Sequence, residues 1–161
     1  MKKLIALTAF SLLSLGSGLA AAQAMDPPMK AVTPASAYPV APAVGLYQAF
    51  GEQAGIRALM DDFVVRLKAD ARLAEAFKEA NPANLAKQLT DQVCQLSGGP
   101  CVYKGPNMKE AHASMDITRG NFNALVEVLQ QSMDAGGIPF TRQNQLLALL
   151  APMHRDVVNV R

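Results

Sequence analysis

From Leu46 to the C-terminus the apolar residues recur with the period of an α-helix, and no stretch alternates with the period of two that a half-buried strand requires. Ile56, Leu59, Met60, Phe63, Val64 and Leu67 draw one apolar stripe along a helix of about fifteen residues. Gly51 and Gly55 read as breaks just ahead of it. Arg72 to Phe77 is a short turn carrying Leu73 and Phe77. Asn81-Pro82 is a helix start, since Asn81 can accept from an orphan N–H and Pro82 needs no donor at the first helical position. Leu85, Leu89, Val93 and Leu96 form that helix's stripe, and Gly98-Gly99 closes it. Thr118 caps a further helix with Phe122, Leu125, Val126, Leu129 and Met133 on its inner face, stopped by Gly136-Gly137 and Pro139. Thr141 opens the last helix. Leu146, Leu147, Leu149, Leu150 and Met153 share its buried positions, and Pro152 kinks or ends it. The fold class is all-α.

Two segments precede this domain. Residues 1–24 place Lys2 and Lys3 before an apolar run from Leu4 to Leu13 and end in Ala22-Gln23-Ala24, the order of a secretory signal peptide. A membrane anchor is the alternative, but Ser11, Ser14, Gly16, Ser17 and Gly18 interrupt the apolar run well short of a spanning length. Cleavage after Ala24 would release a periplasmic or secreted protein with no stable membrane insertion. Losing Lys2 and Lys3 takes the formal charge from +2 to 0, which removes the electrostatic footprint of a nucleic-acid binder. Residues 25–45 hold Pro27, Pro28, Pro34, Pro39 and Pro42 among small residues, a composition that favours an extended tether. The helical domain then occupies 46–161.

Chemistry concentrates between Gly98 and Ile117. His112 is one of two histidines, and Met108 stands one helical turn before it on the same face. An apolar face carrying one imidazole nitrogen suits an iron ligand, although such a residue also serves as a hydrogen-bonded core histidine. The run from Leu96 to Ala111 is long for a connection in a compact bundle, and a bound cofactor beside it would give the length a reason. His154, in PMHRDVV, reads as a surface or helix-end residue. Cys94 and Cys101 are the only cysteines and flank the Gly98-Gly99 turn. In an exported chain an even count across a turn reads as a disulfide, whereas a regulatory thiol pair is the alternative.

LYQAFGEQAGIRALMDDFVVRL, Asp70 to Phe77, GGPCVYKGPNMKEAHASMDIT, and GGIP before LLALLAPM resemble the truncated haemoglobins, most of all their first group, over Leu46 to about Val157. The resemblance implies a two-on-two helical sandwich around haem b. It places His112 as the proximal metal ligand and Phe77 against the haem face. It implies further haem contacts from Phe63, Leu85, Leu89, Met108, Ile117, Phe122 and Leu125. Tyr103, Lys104 and Lys109 would approach the propionates, or else form ordinary solvated surface. No C-x-x-C-H is present, so attachment would be non-covalent.

The distal side departs from the family pattern. Val64 stands where family members commonly carry a tyrosine that donates to bound dioxygen, and Leu85 and Leu89 replace polar choices. Gln88 and Gln92 read as lying off that face, near enough for side-chain reach. Losing a donor to a partly negative ligand costs of order 1–3 kcal/mol, or ~5- to 150-fold in affinity. The expected function is therefore an exported haem protein binding dioxygen, carbon monoxide or nitric oxide at a five-coordinate iron, in oxygen binding or transport. A nitric oxide dioxygenase or peroxidase-like side activity would need, respectively, a reductase and a distal acid–base group. Enzyme status and oligomeric state stay open, as do two other functions: a non-haem helical interaction module of the envelope, and a haem-based sensor or carrier.

Overall fold

The computed structural model describes residues 41–160; the signal-peptide segment 1–24 and the tether up to residue 40 lie outside them. Four substantial helices and several short ones make up this part: α1 (Leu46–Ala49), α2 (Glu52–Ala69), α3 (Ala74–Phe77), α4 (Pro82–Leu96), α5 (Met108–His112), α6 (Arg119–Ala135), α7 (Phe140–Leu150) and α8 (His154–Val157), with a 3₁₀ turn at Ala151–Met153. No strand occurs among the described residues. The helix α2 packs on α4, and α6 packs on α7. The two pairs meet where α2 lies against α6. Leu46, Ile56, Met60, Leu67, Met133 and Leu146 are fully buried there.

Local chemistry sets most boundaries. Asn81 Oδ1 accepts the Asn84 N–H at 3.0 Å, with Pro82 following as the first helical residue. Thr118 and Asn121 form a reciprocal capping box at the start of α6, with N–H···O distances of 3.0 and 3.1 Å. Asn107 and Glu110 do the same for α5. Two boundaries differ from expectation. Gly55 is not a break but lies inside α2, because a Cβ there would collide with the Phe50 carbonyl oxygen at the end of α1. Gly51, at φ 74°, is the actual turn. The last helix opens at Phe140 rather than at Thr141, since the Pro139 carbonyl already accepts the Arg142 N–H at 2.8 Å. It ends at Leu150, and Pro152 sits in the following 3₁₀ turn.

Cys94 and Cys101 are joined in a disulfide, their Cα atoms 5.7 Å apart. The Tyr47 ring lies over the enclosed turn. A Cβ on Gly99 would come within 2.6 Å of that ring and 2.7 Å of Cys94 Sγ, so only glycine fits. Pro42 rests on Gly98, and Ala43 packs on the core. The last residues before α1 are thus seated on the domain. Among the described residues no helix is long and apolar enough to cross a membrane.

Candidate cofactor-binding cavity

A cavity of about 780 Å³ opens between α2, α4, the α5–α6 segment and the end of α7. That is the size of a small-molecule or cofactor site, and its walls are mostly apolar. The helix α2 contributes Met60, Phe63 and Leu67, and α6 contributes Phe122, Leu125, Val126 and Leu129. The i, i+3, i+4 spacing behind each set turns one helix face toward the cavity.

Phe77 reaches the cavity from α3, a single turn that could not hold itself in place. Lys68 supplies the anchor. Its Nζ donates to the carbonyls of Phe77, Lys78 and Ala80 at 2.8, 3.2 and 3.1 Å, closing the C-terminal end of that turn against α2. A cation at a helix C-terminus is favourably placed toward the helix dipole as well. Arg72 ties the same corner to α6 by pairing with Asp70 at 2.8 Å and Glu127 at 2.6 Å. The Arg72 guanidinium and backbone N–H hold the Asp70 carboxyl below its usual range.

His112 ends the five-residue α5 and lines the cavity. Its Nδ1 lies 2.7 Å from the Met108 carbonyl oxygen. A carbonyl can only accept, so Nδ1 carries a proton, and the tautomer that can bind a metal is the one with its lone pair on Nε2. Asn159 fixes the same turn from outside. Its Nδ2 donates to the His112 carbonyl at 2.7 Å, and its Oδ1 accepts the Ile117 N–H at 2.6 Å. On the other side Gln95 Oε1 accepts the Tyr103 N–H at 2.6 Å. The Tyr103 hydroxyl donates to the Pro106 carbonyl at 3.0 Å, and burial pushes the phenol above its ordinary value, so it stays a neutral donor.

The structure brings Phe63, Phe77, Leu85, Leu89, Tyr103, Met108, His112, Ile117, Phe122 and Leu125 together around this one cavity. Three other residues are placed elsewhere. Val64 is buried in the core but does not line the cavity. It stands roughly 70° around α2 from the centre of the Met60–Phe63–Leu67 stripe, off the face turned to the cavity. Lys104 and Lys109 are exposed and outside the lining, so Tyr103 alone of that trio faces inward. His154 opens α8, a helix end as expected, and its ring meets the Phe122 ring edge-on at 4.8 Å.

Gln88 and Gln92 line the cavity beside Leu85 and Leu89, correcting the reading that placed them off that face. The four residues follow i, i+3, i+4, i+7, which is one helix stripe, and the spacing alone would have found them. Lys68 and Asn159 left no signal in the sequence, because their roles depend on carbonyls brought near by folding. Among the described residues no three His, Cys, Asp or Glu side chains converge as a metal cluster. A metal at His112 would therefore take its remaining donors from a macrocycle, and the wide apolar walls suit one.

Known proteins of this shape agree. The bacterial-like globin family matches residues 45–159. A group 1 truncated hemoglobin of Tetrahymena thermophila is 36% identical over 93 residues, covering 58% of this chain and 77% of that one. That of Tetrahymena pyriformis is 29% identical over 113 residues, covering 70% and 93%. The crystal structure of the truncated hemoglobin from Tetrahymena pyriformis in its Fe(III) form superposes with a TM-score of 0.68 at 29% identity, over 71% of this chain and 97% of that one. With its helix pairs, its cavity and these relatives in agreement, the chain belongs to the bacterial-like globin family, among the truncated haemoglobins.

Proposed function

We propose that this protein binds haem b without a covalent link, through Nε2 of His112, and takes up diatomic gases at the iron. The observation that carries the reading is the Met108–His112 hydrogen bond, which commits Nδ1 and turns Nε2 to the role of metal ligand on a residue lining an apolar cavity of about 780 Å³. The Fe(III) form of the similar Tetrahymena pyriformis protein supports iron as the metal. Phe63, Phe77, Leu85, Leu89, Phe122 and Leu125 would enclose the macrocycle and keep water from it, and Tyr103 would offer its ring at the rim. Bound haem supplies an open coordination position for dioxygen, carbon monoxide or nitric oxide. With leucines at 85 and 89 and Val64 outside the lining, the amides of Gln88 and Gln92 are the hydrogen-bond donors that α4 offers to a bound gas. A dioxygenase role would further require an external reductase.

Export belongs to the same proposal. It is supported by the order of charged, apolar and small residues in 1–24 and by the disulfide, which suits an oxidising compartment. Mass spectrometry of the protein recovered from a bacterial envelope should give a mature chain beginning at Met25. A chain retaining Met1 would refute cleavage.

The decisive test is the absorption spectrum of the reduced, purified domain before and after carbon monoxide, in wild type and His112→Ala. Haem binding at His112 predicts a Soret band that sharpens and shifts with the gas in wild type, and loses its native form in the variant. A colourless domain that takes up no added haemin would favour an interaction module of the envelope instead.

A further inference from the structure

Four methionines line the cavity, and two of them share one polar neighbour. Gln92, nine-tenths buried at 9% exposure, directs Nε2 at Met108 Sδ (3.5 Å) and at Met153 Sδ (3.8 Å). Thioethers are weak acceptors, so both hydrogen bonds are weaker than one to an oxygen would be. Met60 and Met115, the other two lining methionines, have no such donor assigned to them.

We propose that Met108 and Met153 are a peroxide-oxidisable modification site whose sulfoxide is received by Gln92. The step balances without a further reactant. Hydrogen peroxide transfers one oxygen atom to the thioether sulfur, its O–O bond breaks, an S–O bond forms and water leaves. Sulfur is oxidised by two electrons and the peroxide is reduced by two. The new sulfoxide oxygen can stand closer to Nε2 than the sulfur does, inside the ordinary N–H···O range, and it is a far stronger acceptor. The lesion that would normally disrupt an apolar cavity here meets a donor already aimed at the sulfur. Methionine sulfoxide reductases reverse the step, so the mark is renewable.

The site reports to the candidate iron ligand. The residue whose side chain meets Gln92 also accepts the His112 Nδ1 proton through its own backbone carbonyl. Gln92, Met108 and His112 thus form one line from α4 through α5. This link rests on the haem reading, whereas the oxidation itself does not, because the oxygen atom comes from peroxide and not from the iron.

The test treats the haem-loaded mature protein with a graded excess of hydrogen peroxide, maps added oxygen by peptide mass spectrometry and measures the melting temperature. Met115, half-buried like Met108 and Met153, is the internal reference, and the fully buried Met133 should stay unmodified. Expected are sulfoxides at Met108 or Met153 at least as early as at Met115. In wild type the oxidised protein should melt within about 2 °C of the untreated one. In Gln92→Leu the same oxidation should lower it by roughly 4 °C or more. Met108→Leu/Met153→Leu should remove the difference between the two backgrounds. Met115 oxidised while both partners of Gln92 stay intact would overturn the proposal, as would equal losses with and without Gln92. The Soret band before treatment reports separately on haem, so a colourless protein with the expected map would sink the haem reading alone.

Discussion

Asn159 and His112 are 47 residues apart in sequence and joined by a hydrogen bond of 2.7 Å from Asn159 Nδ2 to the His112 carbonyl. The same side chain holds the Ile117 N–H, so one residue near the C-terminus spans both sides of the turn leaving α5. Asn159→Ala should destabilise the domain by about 1–2 kcal/mol. It should also speed haem transfer to an excess of an apo-globin acceptor several-fold. An unchanged transfer rate would show that α5 holds its place without the Asn159 side chain.

Lys68 gives a second case of remote support. Lys68→Met keeps the aliphatic stem but leaves three carbonyls at the end of α3 without their donor. A loss of about 2 kcal/mol is expected in denaturant unfolding, with a perturbed Soret band as Phe77 loosens. Stability equal to wild type would mean that water replaces the ammonium at no cost.

Reducing the Cys94–Cys101 bridge, or replacing both cysteines by serine, should lower stability by about 2.5 kcal/mol on loop entropy alone. Melting curves with and without reductant measure this directly, and coincident curves would contradict it.

Leu89 faces the cavity from α4 and offers nothing to hydrogen-bond with. Leu89→Gln should slow dioxygen dissociation by ~5- to 150-fold while leaving carbon monoxide dissociation nearly unchanged. Stopped-flow traces in which both gases shift alike would point to a steric effect.

Asp70 predicts the shape of the acid limb. Its carboxyl is held low in the folded state by hydrogen bonds from Arg72, against about 4 in the unfolded chain. The contribution is therefore complete above pH 4 and disappears as pH falls through the lower folded value. Asp70→Asn should flatten the decline of melting temperature as pH falls below about 4. A variant as acid-sensitive as wild type would assign that limb to other groups.

Elements governed by neighbouring residues were legible in the sequence. Asn81-Pro82 and Thr118 each cap a helix through contacts three residues away, and the stripe from Ile56 to Leu67 needs nothing beyond periodicity. The all-helical fold followed from that periodicity alone, whereas the roles of Phe77 and His112 came with the resemblance. What escaped was of two kinds. Gln88 and Gln92 were set off the cavity face because a stripe drawn from leucines alone hides the polar members that share its spacing. Lys68, Asn159 and the placement of Gly55 depend on atoms that only the folded chain brings near, such as the Phe50 carbonyl beside Gly55.

The disulfide has a further consequence. Gln92 lies two residues before Cys94 and Tyr103 two residues after Cys101, and both side chains face the cavity. That corner is stitched shut by a covalent bond, with the Tyr47 ring laid across the seam. Away from it, the turn after α5 is fastened by hydrogen bonds only, from the Asn159 side chain and from the backbone N–H groups of Asn159 and Val160 to the Ile117 carbonyl. A rigid disc inserted after the bridge has formed would find its door at the C-terminal edge, and its hinge at the stitched corner.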